Sequence, residues 1–224
     1  VEENMEKDDT NTQEINDQDK EMNTNPDEHG PFHVEGHIKI FDPDTGDIYV
    51  NKRNAIHYEN MSVALAQSLS NQNRGFIYEM AFGNGGTNVD PTGIITYLTP
   101  NSVGTNSTLY YQTYKKVVDN RSVTNLDPTR NRLETRHITG TVYTDIVVSC
   151  LLDYGEPSGQ EAFDNANDIN NQFTFDELGL LSYDSSGTGK LLTHVIFHPV
   201  QKSLNRLIQI DYTIRIQSLS GFNG

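Results

Sequence analysis

Three aspartates, Asp42, Asp44 and Asp47, surround Gly46 in the stretch Asp42-Pro-Asp-Thr-Gly-Asp47, and closely spaced oxygen donors of this kind can hold calcium. An EF-hand loop needs glycine at its sixth position and a glutamate six residues later. Here the glycine is fifth and Lys52 stands six residues beyond it. Turn formation explains the residues better, because Pro43 presets φ and Gly46 tolerates a positive φ. Of the seven histidines, His194 and His198 have the spacing of helical zinc ligands, as do His33 and His37. Both pairs lie in segments that read as strands, where positions i and i+4 are about 13 Å apart and cannot chelate one ion. That leaves only pairing of histidines across strands. The adjacent carboxylates Asp176 and Glu177 should alternate to opposite faces of a strand and so cannot share one substrate. Phe82-Gly-Asn-Gly-Gly-Thr87 lacks the Lys-Ser/Thr ending of a P-loop, and its glycines suit a sharp turn off a buried strand. Ser149-Cys150 has no activating base nearby in sequence, and there is no Gly-x-Ser-x-Gly elbow. The expectation is a protein that is not an enzyme, with no catalytic, cofactor-binding or metal-binding residues.

The elements that carry these residues are mostly strands. Ile38 and Ile40 alternate with His37, Lys39 and Phe41, and Ile48 and Val50 resume the alternation after the Asp42–Asp47 turn, so residues 36–52 read as a β-hairpin. Met61, Ala64, Leu65 and Leu69 recur at helical spacing, predicting one short helix over about 58–70 with Asn60 as its N-cap and Asn71 as its stop. Phe76 to Phe82 is apolar on both faces and reads as a buried strand. A short strand follows at 93–98, and Tyr110, Tyr111 and Tyr114 lead into another strand or strand pair. Residues 119–134 read as loop, and 138–152 as one long strand or two, with Gly140 as a bulge. After a polar interruption at 153–172 come strands at 173–181, 191–197 and 207–218. In the last, Ile208, Ile210, Tyr212, Ile214 and Ile216 share one face. Seven to nine strands and one helix predict a mainly β fold, an antiparallel β-sandwich with one short α-helix.

Composition divides the chain in two. Residues 1–30 contain eleven Asp or Glu against two Lys and almost no large apolar side chains, so they hold nine of the fifteen net negative charges. Such a segment cannot bury enough surface to offset the entropy of ordering it. The predicted organisation is an extended acidic arm over residues 1–31 and a β-sandwich domain over residues 32–224. The arm reads either as a solvated tail or as a strap that orders on neighbouring subunits, since thirty extended residues reach up to about 100 Å. Acidity argues against direct nucleic-acid binding, which normally needs a basic stripe. A single cysteine, Cys150, excludes an intramolecular disulfide and reads as a small buried hydrophobe. No apolar run approaches the ~18–20 residues of a membrane helix, so no membrane partner is expected. Asn60-Met-Ser62, Asn106-Ser-Thr108 and Asn120-Arg-Ser122 match the glycosylation sequon, but no signal-like segment gives them weight.

Several short patches occur in a telling order: Gly46-Asp-Ile-Tyr-Val50, Asn54-Ala-Ile-His57, Met80-Ala-Phe-Gly-Asn-Gly-Gly86, Leu109-Tyr-Tyr-Gln-Thr-Tyr114, Glu177-Leu-Gly-Leu180 and Ile210-Asp-Tyr-Thr-Ile214. In this order the chain resembles small β-rich structural proteins of tailed bacteriophage virions, especially contractile-tailed, T4-like phages. The resemblance implies a non-enzymatic virion component of the tail, neck or fibre-attachment region. It would assemble in several copies, as a homo-oligomer or around a symmetry axis, against other virion structural proteins. A capsid-surface decoration protein is the nearest alternative. A carbohydrate-binding host-recognition module is another, for which Tyr110, Tyr111 and Tyr114 would be the aromatic platform in a chain without tryptophan.

Overall fold

The protein is described here by a computed structural model covering residues 32–158, 173–187 and 189–218. The acidic arm, 1–31, and most of the interruption at 153–172 lie outside the described residues, as do the expectations about them. Among the described residues, eleven strands and one helix follow in chain order. β1 (Phe32–Phe41) and β2 (Ile48–Ile56) form the expected hairpin, and α1 (Tyr58–Leu69) comes next. β3 (Ile77–Gly83), the small hairpin of β4 (Thr87–Val89) and β5 (Ile95–Tyr97), and β6 (Gln112–Val117) follow. Then come β7 (Arg132–His137), β8 (Tyr143–Leu152), β9 (Thr174–Ser182), β10 (Leu191–Gln201) and β11 (Ile208–Ser218).

Nine of the strands make one antiparallel sheet in the order β6-β3-β9-β10-β2-β1-β11-β8-β7. The two layers of the expected sandwich are therefore halves of one continuous sheet, curled so that their inner faces meet. β2 is the corner. Its first part pairs with β1, from Val50 opposite Ile40 to Asn54 opposite Gly36, and its end pairs with β10 through Ala55 and Ile56. A strand shared by two sheet halves turns such a corner without opening an edge. The inner faces supply one core: Ile38, Val148, Ile210 and Tyr212 from one half, Met80, Phe82, Leu178 and Phe197 from the other. Each buried side chain of this size contributes about 1.5–3 kcal/mol of transfer free energy before chain entropy is counted.

Tyr212 shows how a polar atom enters that core. The residue is fully buried, and its hydroxyl oxygen accepts a hydrogen bond from Asn54 Nδ2 across the corner. Asn54 lies against Gly36, where a Cβ would stand 1.8 Å from Asn54 Oδ1, so only glycine lets the amide in. Tyr212→Phe removes one of two acceptors of the Asn54 amide, which keeps Ala55 O at 3.2 Å; a loss of about 0.5–1.5 kcal/mol in urea unfolding is the expected result.

The outer face of the β1/β11/β8/β7 half is laid with charge in register. Glu35 stands opposite Arg215, Arg215 opposite Asp145, and Asp145 opposite Arg136. The Arg215 guanidinium donates to both Asp145 oxygens at 2.8 and 2.9 Å and lies over the Tyr143 ring at 3.9 Å. Opposite charges directly across a ladder support the pairing by a few tenths of a kcal/mol each.

Three local expectations are corrected. The N-cap of α1 is His57, whose ring Nδ1 accepts from Asn60 N at 3.2 Å, while Asn60 is buried inside the first turn and donates to Leu191 O at 2.9 Å. Residues 132–134, read as the end of a loop, open the edge strand β7. Its run of charged side chains is how an exposed edge avoids further pairing, and it hides the apolar alternation. Gly140 is not a bulge: with φ +90 it sits in the turn between β7 and β8, closed by Thr141 N donating to Ile138 O at 3.1 Å.

The curled sheet brings its far strands close at a seam between β6 and β8. Lys116 Nζ donates to Leu151 O at 2.7 Å, Asn131 Oδ1 accepts from Leu151 N at 3.0 Å, and Asn120 Oδ1 accepts from Leu133 N. The loop at 119–131 fills the remaining gap.

Candidate functional site

The polar groups with the strongest chemical character meet where β3 leaves the sheet. β3 ends at Gly83, opposite Glu177 of β9, and the chain then turns through Asn84-Gly-Gly-Thr87. Backbone donors of this turn have no strand to pair with and must find acceptors elsewhere. Asp176 and Glu177 supply them. Asp176 accepts from Gly86 N at 2.8 Å, from Thr87 N at 2.9 Å and from the Thr87 hydroxyl. Glu177 Oε1 accepts from Gly85 N at 3.1 Å.

Simple alternation would have sent these two carboxylates to opposite faces. The β9/β10 register slips between Ile196 and Val200, and Phe175 and Leu178 both point into the core although three residues apart. This irregularity lets both neighbours grip the same turn through different donors, correcting the separation expected from the sequence.

A second segment, residues 99–111, lies back across the outer face of β3, β9 and β10. Leu109 packs with Ala81 and Leu191, and the small residues beneath it allow the approach. A Cβ on Gly179 would meet Leu191, Thr193 O and Leu109, all within 3.2 Å. Glu177 pins this segment as well, accepting from Tyr110 N at 2.9 Å and Tyr111 N at 2.7 Å. Its fourth donor is His194 Nε2 at 3.0 Å. Because Asn101 N donates into His194 Nδ1 at 2.7 Å, the imidazole proton must reside on Nε2. His57 repeats the arrangement: its Nδ1 is filled by Asn60 N, so Nε2–H donates to Gly104 O at 3.0 Å.

Electrostatics follow from this geometry. Burial pushes the Glu177 carboxyl up, but hydrogen bonds from His194, Tyr111, Tyr110 and Gly85 together outweigh it and hold the group below its ordinary range. In Asp176 burial dominates, and the carboxyl stays above the usual value despite its bonds to Thr87 and Gly86. Glu177 and His194 are both fully buried, with the carboxylate saturated by donors and both ring nitrogens engaged. An acid–base pair needs a proton site facing substrate. This pair faces its own backbone and works as a clamp.

The other sequence candidates are placed as follows. Asp42 Oδ1 accepts from Asp44 N at 2.8 Å and Thr45 N at 3.2 Å, and Gly46 has φ +80, which makes a tight turn. His198 is exposed and meets the Tyr97 hydroxyl at 3.3 Å, well away from the Glu177 contact of His194. On β1, His37 stands opposite Arg53 and His33 opposite Gln217, so neither joins another histidine. Tyr114 turns inward towards Phe82, ring centroids 6.0 Å apart, whereas Tyr110 and Tyr111 stay outside. Cys150 is wholly buried, and burial pushes its thiol up to about 12, which makes it unreactive. Among the described residues, no group of three or more His, Cys, Asp or Glu is placed to hold a metal ion, and no helix is long and apolar enough to cross a membrane.

Four of the sequence patches thus converge on one place: Asn54–His57, Met80–Gly86, Leu109–Tyr111 and Glu177–Leu180. The clamp itself was missed in the sequence. Its available signal was a glutamate and a histidine embedded in the apolar runs 173–181 and 191–197. Comparison with family models, with curated proteins and with solved structures returns no match. What fold and site define is a mainly β protein, one antiparallel sheet curled around a single core, whose buried ionisable groups serve its own chain.

Proposed function

We propose that the protein is a non-enzymatic structural component of a bacteriophage virion, placed in the tail, neck or fibre-attachment region and working in several copies against other virion proteins. The observation that carries this reading is the loop at 119–131. Buried Asn125 ties its two ends, donating to Asp119 O at 3.1 Å and Asn131 O at 2.8 Å. Asp127 braces its far side by accepting from the Thr129 hydroxyl and from Arg130. Yet this braced loop presents Val123 and Leu126 at 99% and 96% exposure. Rigid display of apolar side chains outside the fold suits a partner contact, because little entropy is then lost on docking. The ordered patches that resemble phage structural proteins support the same reading.

The cations around the loop are already paired, Lys116 with Glu156 and Arg130 with Asp127 and Asp153, which favours protein contact over phosphate contact. Val123→Glu combined with Leu126→Glu should leave the thermal midpoint nearly unchanged, since neither side chain is buried. The same double variant should lower incorporation into particles by about tenfold or more, read by quantitative mass spectrometry of purified virions. Equal incorporation of variant and wild type would remove the basis of the proposal. Cryo-electron microscopy of the particle separates a tail or neck position from capsid decoration.

A second reading has one observation in its favour. Tyr97, Tyr110 and Tyr111 are all exposed along the β4–β5 hairpin and the 99–111 segment. Exposed tyrosines suit stacking on sugar rings, and binding on a glycan array that Tyr111→Ala abolishes would promote a host-recognition role.

A further inference from the structure

The sheet ends in β7, and among the described residues no strand lies beyond it. In an antiparallel strand the N–H and C=O of alternate residues point to the same side. Leu133 N reaches away from β8 to Asn120 Oδ1 at 3.3 Å, so Thr135 and His137, of the same parity, also present their backbone groups outward. Thr135, Arg136, His137 and Ile138 are all exposed, which leaves this stretch of the edge open. On its inner side, Leu133 and Thr135 line an apolar cleft of about 420 Å³ together with Leu65, Phe76, Ile146 and Ile216. Unpaired backbone beside uncovered apolar surface is what an added strand satisfies.

We propose that β7 pairs with β7 of a second copy, antiparallel about a two-fold axis through Thr135, so that two nine-stranded sheets become one. Charge selects both the partner and the register. On the outer face Arg132, Glu134 and Arg136 stand in a row, with the Arg136 guanidinium donating to Glu134 at 2.8 Å. With the axis at Thr135, Glu134 faces Arg136 of the second copy and Arg136 faces its Glu134, two opposite-charge pairs made by symmetry. Moving the axis to Glu134 sets glutamate against glutamate and Arg132 against Arg136. Moving it to Arg136 sets arginine against arginine. Axes further along meet the Asn120 contact at one end and run out of strand at the other. The charges that deter indiscriminate pairing thus leave one register open.

Hydrogen-bond parity fits the same axis. Thr135 exchanges N–H···O=C bonds with Thr135 of the second copy, and Leu133 does so with His137 on either side, all through groups that point outward in the single chain. The bond from Leu133 N to Asn120 is the one contact that yields at each end. On the inner face the two threonines meet beside the mouth of the cleft, a cross-strand pair that sheets favour. Ile138, 62% exposed in the single chain, comes opposite Arg132, whose aliphatic stem covers it. The pairing uses neither Val123 nor Leu126 and does not depend on where the protein acts, so the failure of either contact leaves the other standing.

Sedimentation velocity on the full chain, over about 1–300 µM, should show a monomer–dimer equilibrium. Glu134→Arg and Arg136→Glu should each weaken association about tenfold or more, because each makes both cross-strand pairs alike in sign. An equimolar mixture of the two variants should dimerise again, since every pair then joins opposite charges. Recovery on mixing separates a charge effect from misfolding. Thr135→Pro removes an N–H that the single chain leaves unpaired, so the thermal midpoint should stay nearly unchanged while the dimer is lost. A wild-type chain that stays monomeric throughout overturns the proposal, as do charge variants that dimerise like the wild type or folded variants that fail to associate on mixing. A monomeric chain whose incorporation into particles is still lowered by Thr135→Pro would also overturn it, assigning the edge to a strand of another protein.

Discussion

Replacing Glu177 by alanine should cost about 4 kcal/mol or more of folding stability at neutral pH, the largest effect expected of any single side chain here. Its carboxylate is the shared acceptor for Gly85 N, Tyr110 N, Tyr111 N and His194 Nε2, all in a site without solvent access to Glu177. Removal leaves four donors facing one another, and each unsatisfied buried donor costs about 1–3 kcal/mol. Glu177→Gln is milder, about 2–4 kcal/mol, because one amide oxygen still accepts while the new NH₂ opposes donors. Urea unfolding gives both numbers, and a loss under 1 kcal/mol for alanine would mean that the clamp does not form.

The pH dependence of this site has a definite sign. The folded-state value of Glu177 lies below its unfolded value, so its stabilisation is present above the ordinary carboxylate range and is lost as pH falls through the folded value. Asp176 is shifted the other way, so its contribution is present at low pH and is lost as pH rises through its raised folded value. Glu177→Gln should therefore flatten the acid limb of the stability curve, and Asp176→Asn should steepen it.

Gly83→Ala is expected to rank second, at about 2–4 kcal/mol. A Cβ there would lie 2.5 Å from Tyr111 O and 2.5 Å from Glu177 Oε1. One neighbour is backbone and the other is held by Gly85 N and Tyr111 N in a carboxylate with four donors in all, so neither can yield cheaply. Relief requires lifting residues 109–111 off the sheet, which breaks the Glu177 bonds to Tyr110 and Tyr111. The variant should show a lower thermal midpoint together with faster exchange at those two amides. A lower midpoint without faster exchange would mean the strain is absorbed elsewhere.

Much of the secondary structure was legible because its period is strong. The alternation through Ile38–Val50 and Ile208–Ile216, and the helical spacing of Met61 to Leu69, appear as β1, β2, β11 and α1. β7 was not legible, because an edge strand with Arg132, Glu134 and Arg136 carries little apolar pattern. The His57 cap was overlooked because imidazole is not among the usual capping residues. The Asp176–Glu177 pair was assigned to opposite faces by a rule that holds only for unbroken register.

The residue order of this chain suffices to determine that its described residues are mainly β with one helix, because alternation and helical spacing are local properties. It also identifies the Asp42–Asp47 segment as a turn and Cys150 as buried. Tertiary structure alone decided that the two layers are one sheet bent at β2, and that Glu177 and His194 join residues 85, 101, 110 and 111 into a clamp. The reason is physical: which donors a buried carboxylate meets depends on where β3 stops and where the next segment returns. Those are properties of the packed chain and leave no periodic trace along it.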